Sequence, residues 1–356
     1  MAVTIKEVAR RAGVSVATVS RVFNNSGPVS EETRRRIHAV AKRLRYTPNS
    51  AARSLITSRT SAVGVLLPDL YGEFFSEVIR GIDRTAQAHG YHLLVSGWHN
   101  DRAAIETMLR SMRGRVDGLI VMSPHLDARA LTTNLPENLP AVLLNCPVEG
   151  DAFDALNIDN FGGAYEMVRH LVAHGHRRVA LIKGAEANHD AQERQRGYRA
   201  ALRDGGAEWS ESLELAGDFK ESSGYRAALE ALALEPRPTA IFAANDSMAI
   251  GALSALRESG LSVPGEMAVA GFDDIPIARY VTPSLSSVHV AIDELGARAC
   301  DRLIEAVKEK NRHQRRQEQL PTRLVLRDSC GCRDGAADRA GPTPEGPASP
   351  DELHAM

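Results

Sequence analysis

The sequence has few cysteines and no long hydrophobic run. Its four cysteines are scattered over 356 residues, too few for the disulfide framework of a small secreted protein. No apolar stretch approaches the roughly eighteen residues of a membrane span. The N-terminus is not a secretory signal, because its apolar residues are interrupted by Lys6, Glu7, Arg10 and Arg11. These absences predict a cytoplasmic protein.

Catalytic and nucleotide-binding motifs are also missing. Neither G-x-x-x-x-G-K-[ST] nor G-x-S-x-G occurs, and Pro68–Gly72 stands where a dinucleotide-binding loop would follow the first long strand. His170 and His174 have the i, i+4 spacing of a metal pair. We interpret them as the basic end of a helix that stops at Gly175. The sequence therefore predicts no enzyme, no cofactor and no metal site.

The charge is distributed very unevenly. Residues 1–60 contain 12 lysines and arginines but three acids, a formal charge of +9, whereas the other 296 residues carry −11. A small basic head on an acidic body is typical of proteins that bind nucleic acid. The alternative is a solvated basic face without a partner.

The basic head has the pattern of three short helices. Thr4 and Glu7 fit a capping box at the first helix, and Gly13 suits a tight turn after it. Ser15 and Ser30 are N-cap residues for a second and a third helix. This arrangement predicts a helix-turn-helix whose second helix enters the major groove of DNA.

The second helix carries the residues expected to read the base sequence. Its outward positions are Val16, Ala17, Thr18, Ser20 and Arg21. Arg21 can make a bidentate contact to guanine, and the apolar Val16 and Ala17 suit thymine methyl groups. The alternative for Val16 and Ala17 is that they only fill the surface.

The rest of the chain alternates apolar strands with amphipathic helices, in two series. The predicted strands are Ala62–Leu67, His92–Ser96, Gly118–Ser123, Ala141–Leu144, Val179–Ile182, Leu213–Ala216, Ala240–Ala244 and Met267–Phe272. The predicted helices are Phe74–His89, Arg102–Arg113, Gly162–His174, Gln192–Asp204, Ser222–Ala233 and Ser247–Ser259. Continuous apolar strands of this kind form parallel sheets covered on both faces, so we predict an α/β body of two lobes.

Ligands of open parallel sheets bind beyond the carboxyl ends of the strands. The residues at those ends are Asp69, Phe74, Phe75, Ser123, Asn145, Asn245, Asp246 and Asp273. Arg194, at the start of a helix, faces the same mouth. This polar, charged and aromatic set predicts a cleft for a small hydroxylated ligand.

Several of these residues have other interpretations. Arg194 could instead pair with Glu193 on the surface, and Phe75 could belong to the core. We interpret Asp246 and Asp274 as groups that cap a helix or brace a loop.

The head contains three motifs, Thr4-Ile5-Lys6-Glu7-Val8-Ala9, Gly13 through Val22, and Tyr46-x-Pro48-Asn49-x-x-Ala52-Arg53-x-Leu55. In these motifs it resembles the lactose/galactose repressor (LacI/GalR) family of transcription regulators. The resemblance implies that the last stretch is a hinge helix that folds on the operator. It implies that Leu55 inserts into the minor groove beside Ala52. The DNA-binding residues implied overall are Thr4, Ser15, Val16, Ala17, Thr18, Ser20, Arg21, Asn24, Asn49, Ala52, Arg53 and Leu55.

The body is similar to the same family through about residue 330. The motifs are Leu67-Pro68-Asp69, Phe74-Phe75, Arg194-x-x-Gly197-Tyr198, Ala244-Asn245-Asp246-x-Met248-Ala249 and Gly271-Phe272-Asp273-Asp274-x-Pro276. The resemblance implies a fold similar to periplasmic sugar-binding proteins, whose lobes close on a ligand. The resemblance and the positions of the strand ends together predict an effector site made of Phe74, Phe75, Ser123, Asn145, Arg194, Phe219, Asn245 and Asp273.

These patterns divide the chain into four parts. Residues 1–47 are the DNA-binding head, 48–60 the hinge and linker, 61–332 the two-lobed body, and 333–356 a tail rich in Gly, Pro and Ala that is predicted to be disordered. The first lobe comprises about 61–160 and 290–320, and the second about 161–289 and 321–332. Some members of the family that the chain resembles form tetramers through a C-terminal helix of leucine heptads; the tail has no such heptads, so the resemblance implies a homodimer.

The predicted function is repression of a carbohydrate-utilisation operon. A dimer would bind a pseudo-palindromic operator and be released by a sugar-type effector in the interlobe cleft. One alternative is a regulator that uses a purine or nucleoside as corepressor. Another is a cytoplasmic sugar-binding protein without DNA function, against which the +9 head argues. A third is an enzyme with an attached DNA-binding head, against which the missing catalytic motifs argue.

Overall fold

The computed structural model describes residues 3–24, 26–46, 59–98, 102–124, 135, 139–146, 152–309 and 312–331. The predictions made for Asn49, Ala52, Arg53, Leu55 and the tail 333–356 fall outside these ranges. Within them, no helix combines the length and the apolar character that crossing a membrane requires.

The basic head forms three helices around a small core of its own. They are α1 (Ile5–Ala12), α2 (Val16–Phe23) and α3 (Glu31–Leu44). The core contains one fully buried residue from each helix, namely Val8, Val19 and Ile37. Gly13 adopts φ +63° between α1 and α2, the left-handed conformation that glycine takes most easily. The helix-turn-helix prediction is thus confirmed.

The three predicted N-caps are present, but the capping box at the first helix is not complete. Ser15 and Ser30 each accept a hydrogen bond from the backbone N–H three residues on. Thr4 does the same for Glu7, but the Glu7 carboxylate does not return to the Thr4 backbone as a capping box requires. It accepts from Arg11 Nε at 3.0 Å instead, because opposite charges one turn apart attract it along the helix.

The described part of the body contains fourteen strands and α-helices that the sequence pattern predicts and five that it does not. The first part comprises β1 (Ala62–Leu67), α4 (Glu73–Ala88), β2 (His92–Gly97), α5 (Arg102–Met112), β3 (Gly118–Met122), β4 (Ala141–Leu144) and β5 (Asp154–Ile158). Next come α6 (Asn160–Ala173), β6 (Val179–Ile182), α7 (His189–Asp204), β7 (Glu214–Leu215), α8 (Glu221–Leu232), β8 (Ala240–Ala243), α9 (Asp246–Glu258) and β9 (Ala268–Asp273). The last are β10 (Ser286–His289), α10 (Ile292–Glu309), β11 (Gln317–Leu320) and β12 (Arg323–Val325).

The strands form two six-stranded sheets, one in each lobe. The first has the order β11-β5-β4-β3-β1-β2, and all of its pairs are parallel. The second has the order β12-β10-β9-β8-β6-β7 and is parallel except at its edge, where β12 runs antiparallel to β10. Helices cover the sheets, as the continuous apolar strands predict.

Two differences from the predicted elements have local causes. The sequence pattern does not indicate β5, because Asp154 and Asn157 interrupt its apolar run; both side chains are satisfied by partners elsewhere in the fold. The predicted strand Leu213–Ala216 shrinks to the two residues of β7. A short 3-10 helix, Glu211–Leu213, occupies the preceding turn, where Ser210 Oγ accepts the Ser212 N–H.

The chain crosses between the two sheets three times. The crossings lie between β5 and α6, between β10 and α10, and between β11 and β12. Because each is only one to two residues long, the lobes are held close at this side and can separate only on the other.

Helices α4 and α10 of the first lobe pack backbone to backbone. A Cβ atom on Gly81 would lie 2.0 Å from the Asp293 carbonyl oxygen, and one on Gly296 would lie 2.3 Å from that of Val78. Only glycine leaves room for this approach.

Candidate DNA-binding surface and effector cleft

Helix α2 presents the predicted reading residues to solvent. Ser15, Val16, Ala17 and Arg21 are exposed, and Val16 keeps 41% of its accessible surface. Val19, on the opposite side of the helix, is fully buried. A short helix with one free face and a basic side chain has the shape that enters a major groove.

Three other predicted DNA-binding residues are only half-exposed. Asn24 donates from Nδ2 to Ser20 Oγ at 3.2 Å, which closes the C-terminal end of α2. Thr18 Oγ1 lies 2.9 Å from Ser15 Oγ at its N-terminal end. These side chains order the helix, and their contact with DNA stays a prediction.

A cleft of about 120 Å³ lies between the lobes. Seven of the eight predicted effector residues line it, namely Phe74, Phe75, Asn145, Arg194, Phe219, Asn245 and Asp273. Ser123 does not line it; its side chain is fully buried between Met122 and Pro124, which do. The cleft thus lies where the carboxyl ends of the predicted strands place it, and the roles of the single residues in binding stay predictions.

Arg194 on α7 is held by contacts from three directions. Its Nε donates to Asn160 Oδ1 at 2.8 Å, and its Nη1 donates to the carbonyl oxygen of Ala244. Its guanidinium carbon lies 3.8 Å from the centre of the Phe272 ring. Since a guanidinium has five N–H groups, these bonds fix its plane and leave donors for a ligand.

Arg194 also forms a buried ion pair with Asp273, at 3.1 Å between Nη2 and Oδ1. Both side chains are at least nine-tenths buried. The alternative in which Arg194 pairs with Glu193 on the surface is wrong, because Arg194 is buried beside Asp273; Glu193 pairs with the exposed Arg196.

Asp190, in the first turn of α7, is a cleft residue that the sequence pattern does not indicate. The sequence pattern predicts a helix from Gln192 and places Asp190 in a loop, whereas the helix begins at His189. The buried carboxylate of Asp190 accepts a hydrogen bond from Asn160 Nδ2 at 2.9 Å. Burial, reinforced by the charge of Asp273 and opposed by that of Arg194, raises the pKa of Asp190 to about 7.

The other buried carboxyls behind the cleft have raised pKa values as well. Burial raises the pKa of Asp273 to about 6, although the neighbouring Arg194 lowers it. Burial and the charge of Asp273 raise the pKa of Asp246 well above its usual value. Asp246 accepts from Ser287 Oγ and from the Ile275 N–H, so it braces the loop after β9, as predicted.

Asp274 is the second predicted bracing group. It accepts from Arg327 Nη2 at 2.6 Å and lies 2.9 Å from His289 Nδ1. Hydrogen bonds from His289 and the charge of Arg327 outweigh partial burial and lower the pKa of Asp274. This carboxylate is therefore fully engaged in the loop.

The backbone is strained at three cleft residues. Asn145, Phe219 and Asp273 have φ values of +47°, +70° and +104°, which non-glycine residues rarely adopt. Asn145 Oδ1 is buried and has no hydrogen-bond partner among the described residues. This strained conformation and an unused acceptor at the cleft suit a ligand that donates hydrogen bonds.

Phe219 and Asn245 support each other. Asn245 Nδ2 donates to the Phe219 carbonyl oxygen at 3.0 Å, while its Oδ1 caps α9 through the Met248 N–H. The Phe219 ring packs on Gly184, where a Cβ would come within 2.2 Å of it. Asn245 thus holds the Phe219 ring at the wall of the cleft.

Two hydrogen bonds join the lobes beside the cleft. Glu73 Oε2 at the start of α4 accepts from the Ile277 N–H at 3.0 Å, and the Pro124 carbonyl oxygen accepts from the His189 N–H at 3.0 Å. Both depend on the present separation of the lobes. The arrangement combines carboxylates, a guanidinium, amides and aromatic rings, a set of groups suited to binding a small polar molecule.

Comparison with known proteins gives two matching family descriptions. Residues 4–49 match the bacterial regulatory proteins of the lacI family, and residues 168–330 match a periplasmic binding protein-like domain.

Curated relatives match along most of their length. A protein named HTH-type transcriptional repressor PurR from Erwinia tasmaniensis is 37% identical over 91% of this chain and 96% of its own. The ribose operon repressor of Escherichia coli K12 is 35% identical over 89% of this chain and 97% of its own.

Solved structures of transcription regulators are similar to this chain as well. A lac repressor dimer bound to operator and the anti-inducer ONPF has a TM-score of 0.81 and 30% identity over 93% of this chain and 99% of its own. A complex of the transcriptional regulator CelR with cellobiose has a TM-score of 0.70 and 31% identity over 92% of this chain and 99% of its own. The chain therefore belongs to the lacI family of bacterial regulatory proteins, and it is a DNA-binding transcription regulator and not an enzyme.

Proposed function

We propose that this regulator is a dimeric repressor that acts in the cytoplasm on operator DNA and is released by a small sugar-type effector. The observation that carries the proposal is the interlobe cleft with Arg194 and Asp273, in a chain that also has a basic helix-turn-helix. The proposal keeps the domain division expected from the sequence: residues 1–47 read DNA, 48–60 form the hinge and linker, and 61–332 bind effector and dimerise.

The charge in the cleft supports an uncharged or cationic effector. Two buried carboxylates, Asp190 and Asp273, face one guanidinium, that of Arg194. An anionic ligand would add negative charge where desolvation already disfavours it. Hydroxyl groups can donate to the carboxylates and accept from Arg194, and the Phe74 and Phe75 rings offer apolar faces to the ring carbons of a sugar.

A nucleobase or nucleoside is the second candidate. The half-buried rings of Phe74, Phe75 and Phe219 line the same cleft and could stack on a planar base. In this case the ligand would act as corepressor, tightening operator binding.

Closure of the lobes is the step that links the cleft to DNA. The short crossings keep the lobes together at one side, so an effector that contacts both lobes favours the closed state by its differential affinity. The closed state then changes the spacing of the two hinges in the dimer. Leu55, carried on the hinge, would leave the minor groove when that spacing no longer matches the operator.

An exposed apolar surface supports the dimer. Leu70 and Tyr71 of the first lobe and Ile277 and Tyr280 of the second are exposed, and the Glu73–Ile277 hydrogen bond places the two pairs beside each other. Leu94 on the edge strand β2 is exposed too. Large apolar groups of this kind on both lobes are typical of an obligate interface.

The test begins with an operator selected from random DNA duplexes by the purified full-length chain. Thermal unfolding and operator binding are then measured with neutral sugars, nucleosides and nucleobases. Ribose and ribose 5-phosphate form a matched pair for the charge argument: if ribose binds, its phosphate should bind more weakly. A sugar that raises the melting temperature and releases DNA supports the proposal. A nucleobase that raises it and tightens DNA binding would favour the second candidate.

A further inference from the structure

A group of potential metal ligands lies at the C-terminal end of α10, away from the effector cleft. Glu305 and Glu309 are one helical turn apart on the same side of α10, and His313 follows shortly after the helix. One ligand atom from each of the three lies within 4.8 Å of those of the other two. We propose that Glu305, Glu309 and His313 bind a divalent transition-metal ion, for which Zn²⁺ is the probe.

The ring of His313 carries the argument. Its side chain is 6% exposed, and its Nε2 lies 2.7 Å from Asp154 Oδ2, which is buried as well. A carboxylate only accepts hydrogen bonds, so Nε2 bears the proton. Nδ1 then has a free lone pair, and this buried atom has no hydrogen-bond partner within the described part of the chain. A metal ion would satisfy it.

The contact with Asp154 is the one that metal-binding histidines use. Such a histidine usually donates its second ring N–H to a carboxylate, which fixes the orientation of the ring and strengthens the ligand. Asp154 is itself fixed, because its Oδ1 accepts the Arg316 N–H at 3.1 Å. The Arg316 guanidinium donates to Glu305 Oε2 at 2.8 Å and leaves the other oxygen of Glu305 for a cation.

The donor set indicates the class of metal. One imidazole nitrogen with two carboxylate oxygens suits zinc and its neighbours, whereas Ca²⁺ and Mg²⁺ prefer oxygen ligands alone. The three ligands follow one another at intervals of four residues, but the supporting contact of His313 with Asp154, 159 residues away, is visible only in the structure. Asp154 begins β5, at the end of the sheet opposite to the cleft, so bound metal would stabilise the first lobe without entering the effector site.

The experiment uses the full-length chain stripped of metal with a chelator. Zn²⁺ binding is followed by calorimetry, and Co²⁺, a spectroscopic substitute, by its visible absorption. His313→Ala should lose one equivalent of Zn²⁺, and Glu309→Gln should bind that equivalent at least about tenfold more weakly. His174→Ala is the matched control, because it removes an exposed histidine whose ring lies beside that of His170, and it should keep all sites. Zn²⁺ should also raise the melting temperature of wild type and of His174→Ala, but not that of His313→Ala.

Equal Zn²⁺ stoichiometry and affinity in wild type, His313→Ala and Glu309→Gln would overturn the proposal. So would nitrogen NMR spectra in which both ring nitrogens of His313 stay protonated when Zn²⁺ is present, because His313 would then be an imidazolium paired with acids. Glu309 is exposed, so its variant keeps the test valid if His313→Ala does not fold.

Discussion

The carboxylate of Glu73 accepts a hydrogen bond from the backbone N–H of Ile277, 3.0 Å away across the mouth of the cleft. Glu73 begins α4 of the first lobe, and Ile277 belongs to the second. This bond exists only while the lobes are close. It therefore favours the state that encloses a ligand, and it can be removed without touching the core of either lobe.

We expect Glu73→Ala to weaken effector binding about two- to tenfold, because the closed state loses one charge-assisted hydrogen bond in a partly exposed place. Calorimetry with the effector found in the ligand panel measures this. Glu77→Ala is the control, since Glu77 lies one turn further along α4 and pairs only with Arg80 in the described contacts. Equal losses in both variants would show that α4, and not the interlobe bond, is responsible.

Arg194→Ala should abolish the effector response while operator binding persists. It should also destabilise the body by about 3–5 kcal/mol near neutral pH, since the buried Asp273 loses its cation. Operator binding with and without effector, together with urea unfolding, measures both effects. Arg196→Ala removes an exposed arginine of the same helix and should change neither. A normal response in Arg194→Ala would exclude this residue from the site.

Asp190 should make stability depend on pH. Its pKa of about 7 in the folded chain lies above the ordinary value of 3.8, so the folded chain binds more protons than the unfolded chain between these values. Stability therefore falls as pH rises through this window, and the loss is complete above pH 7. Asp190→Asn copies the neutral form. At pH 8 it should be more stable than wild type by roughly 2–4 kcal/mol, and at pH 5 the difference should shrink.

Urea unfolding at both pH values tests this difference. Asp204→Asn, an exposed change at the other end of α7, should show no such dependence on pH. A difference between Asp190→Asn and wild type that is the same at pH 5 and pH 8 would contradict the raised pKa.

Arg21→Ala should weaken operator binding by about 1–3 kcal/mol, mainly at one guanine in each half-site. Binding to a set of operators with single base changes measures it. Arg10, exposed on α1 and paired with Glu7, gives the control Arg10→Ala, for which we expect no change in base preference. A uniform loss over all sequences would mean that Arg21 contacts phosphate only.

Leu94→Asp should convert the dimer to monomers, because it places a charge in an apolar interface at the edge of the first sheet. Light scattering after size-exclusion chromatography gives the mass. Leu229→Asp changes an equally exposed leucine on α8 and should leave the dimer intact. If Leu94→Asp stays dimeric at micromolar concentration, β2 lies outside the interface.

The sequence alone predicts the helices of the head and the position of the cleft. It does not predict the burial and the ion pairs that determine the electrostatics of the cleft. Caps and apolar spacing are local, so Ser15, Ser30 and the face of α2 follow from the pattern. Asp190 does not, because its burial depends on Asn160, thirty residues earlier. Predicted strand ends locate the cleft, but no pattern reveals that Arg194 pairs with Asp273 and not with Glu193.

The close approach of Gly81 to the Asp293 carbonyl, and of Gly296 to the Val78 carbonyl, has a consequence for motion. Two helices whose backbones touch cannot slide past each other or tilt apart without breaking van der Waals contact along their length. If a ligand displaces Glu73, Phe74 or Phe75 at the start of α4, α10 must therefore move with α4. The two helices therefore move as one rigid unit, which connects the cleft at the start of α4 to the interlobe crossing that leads into α10.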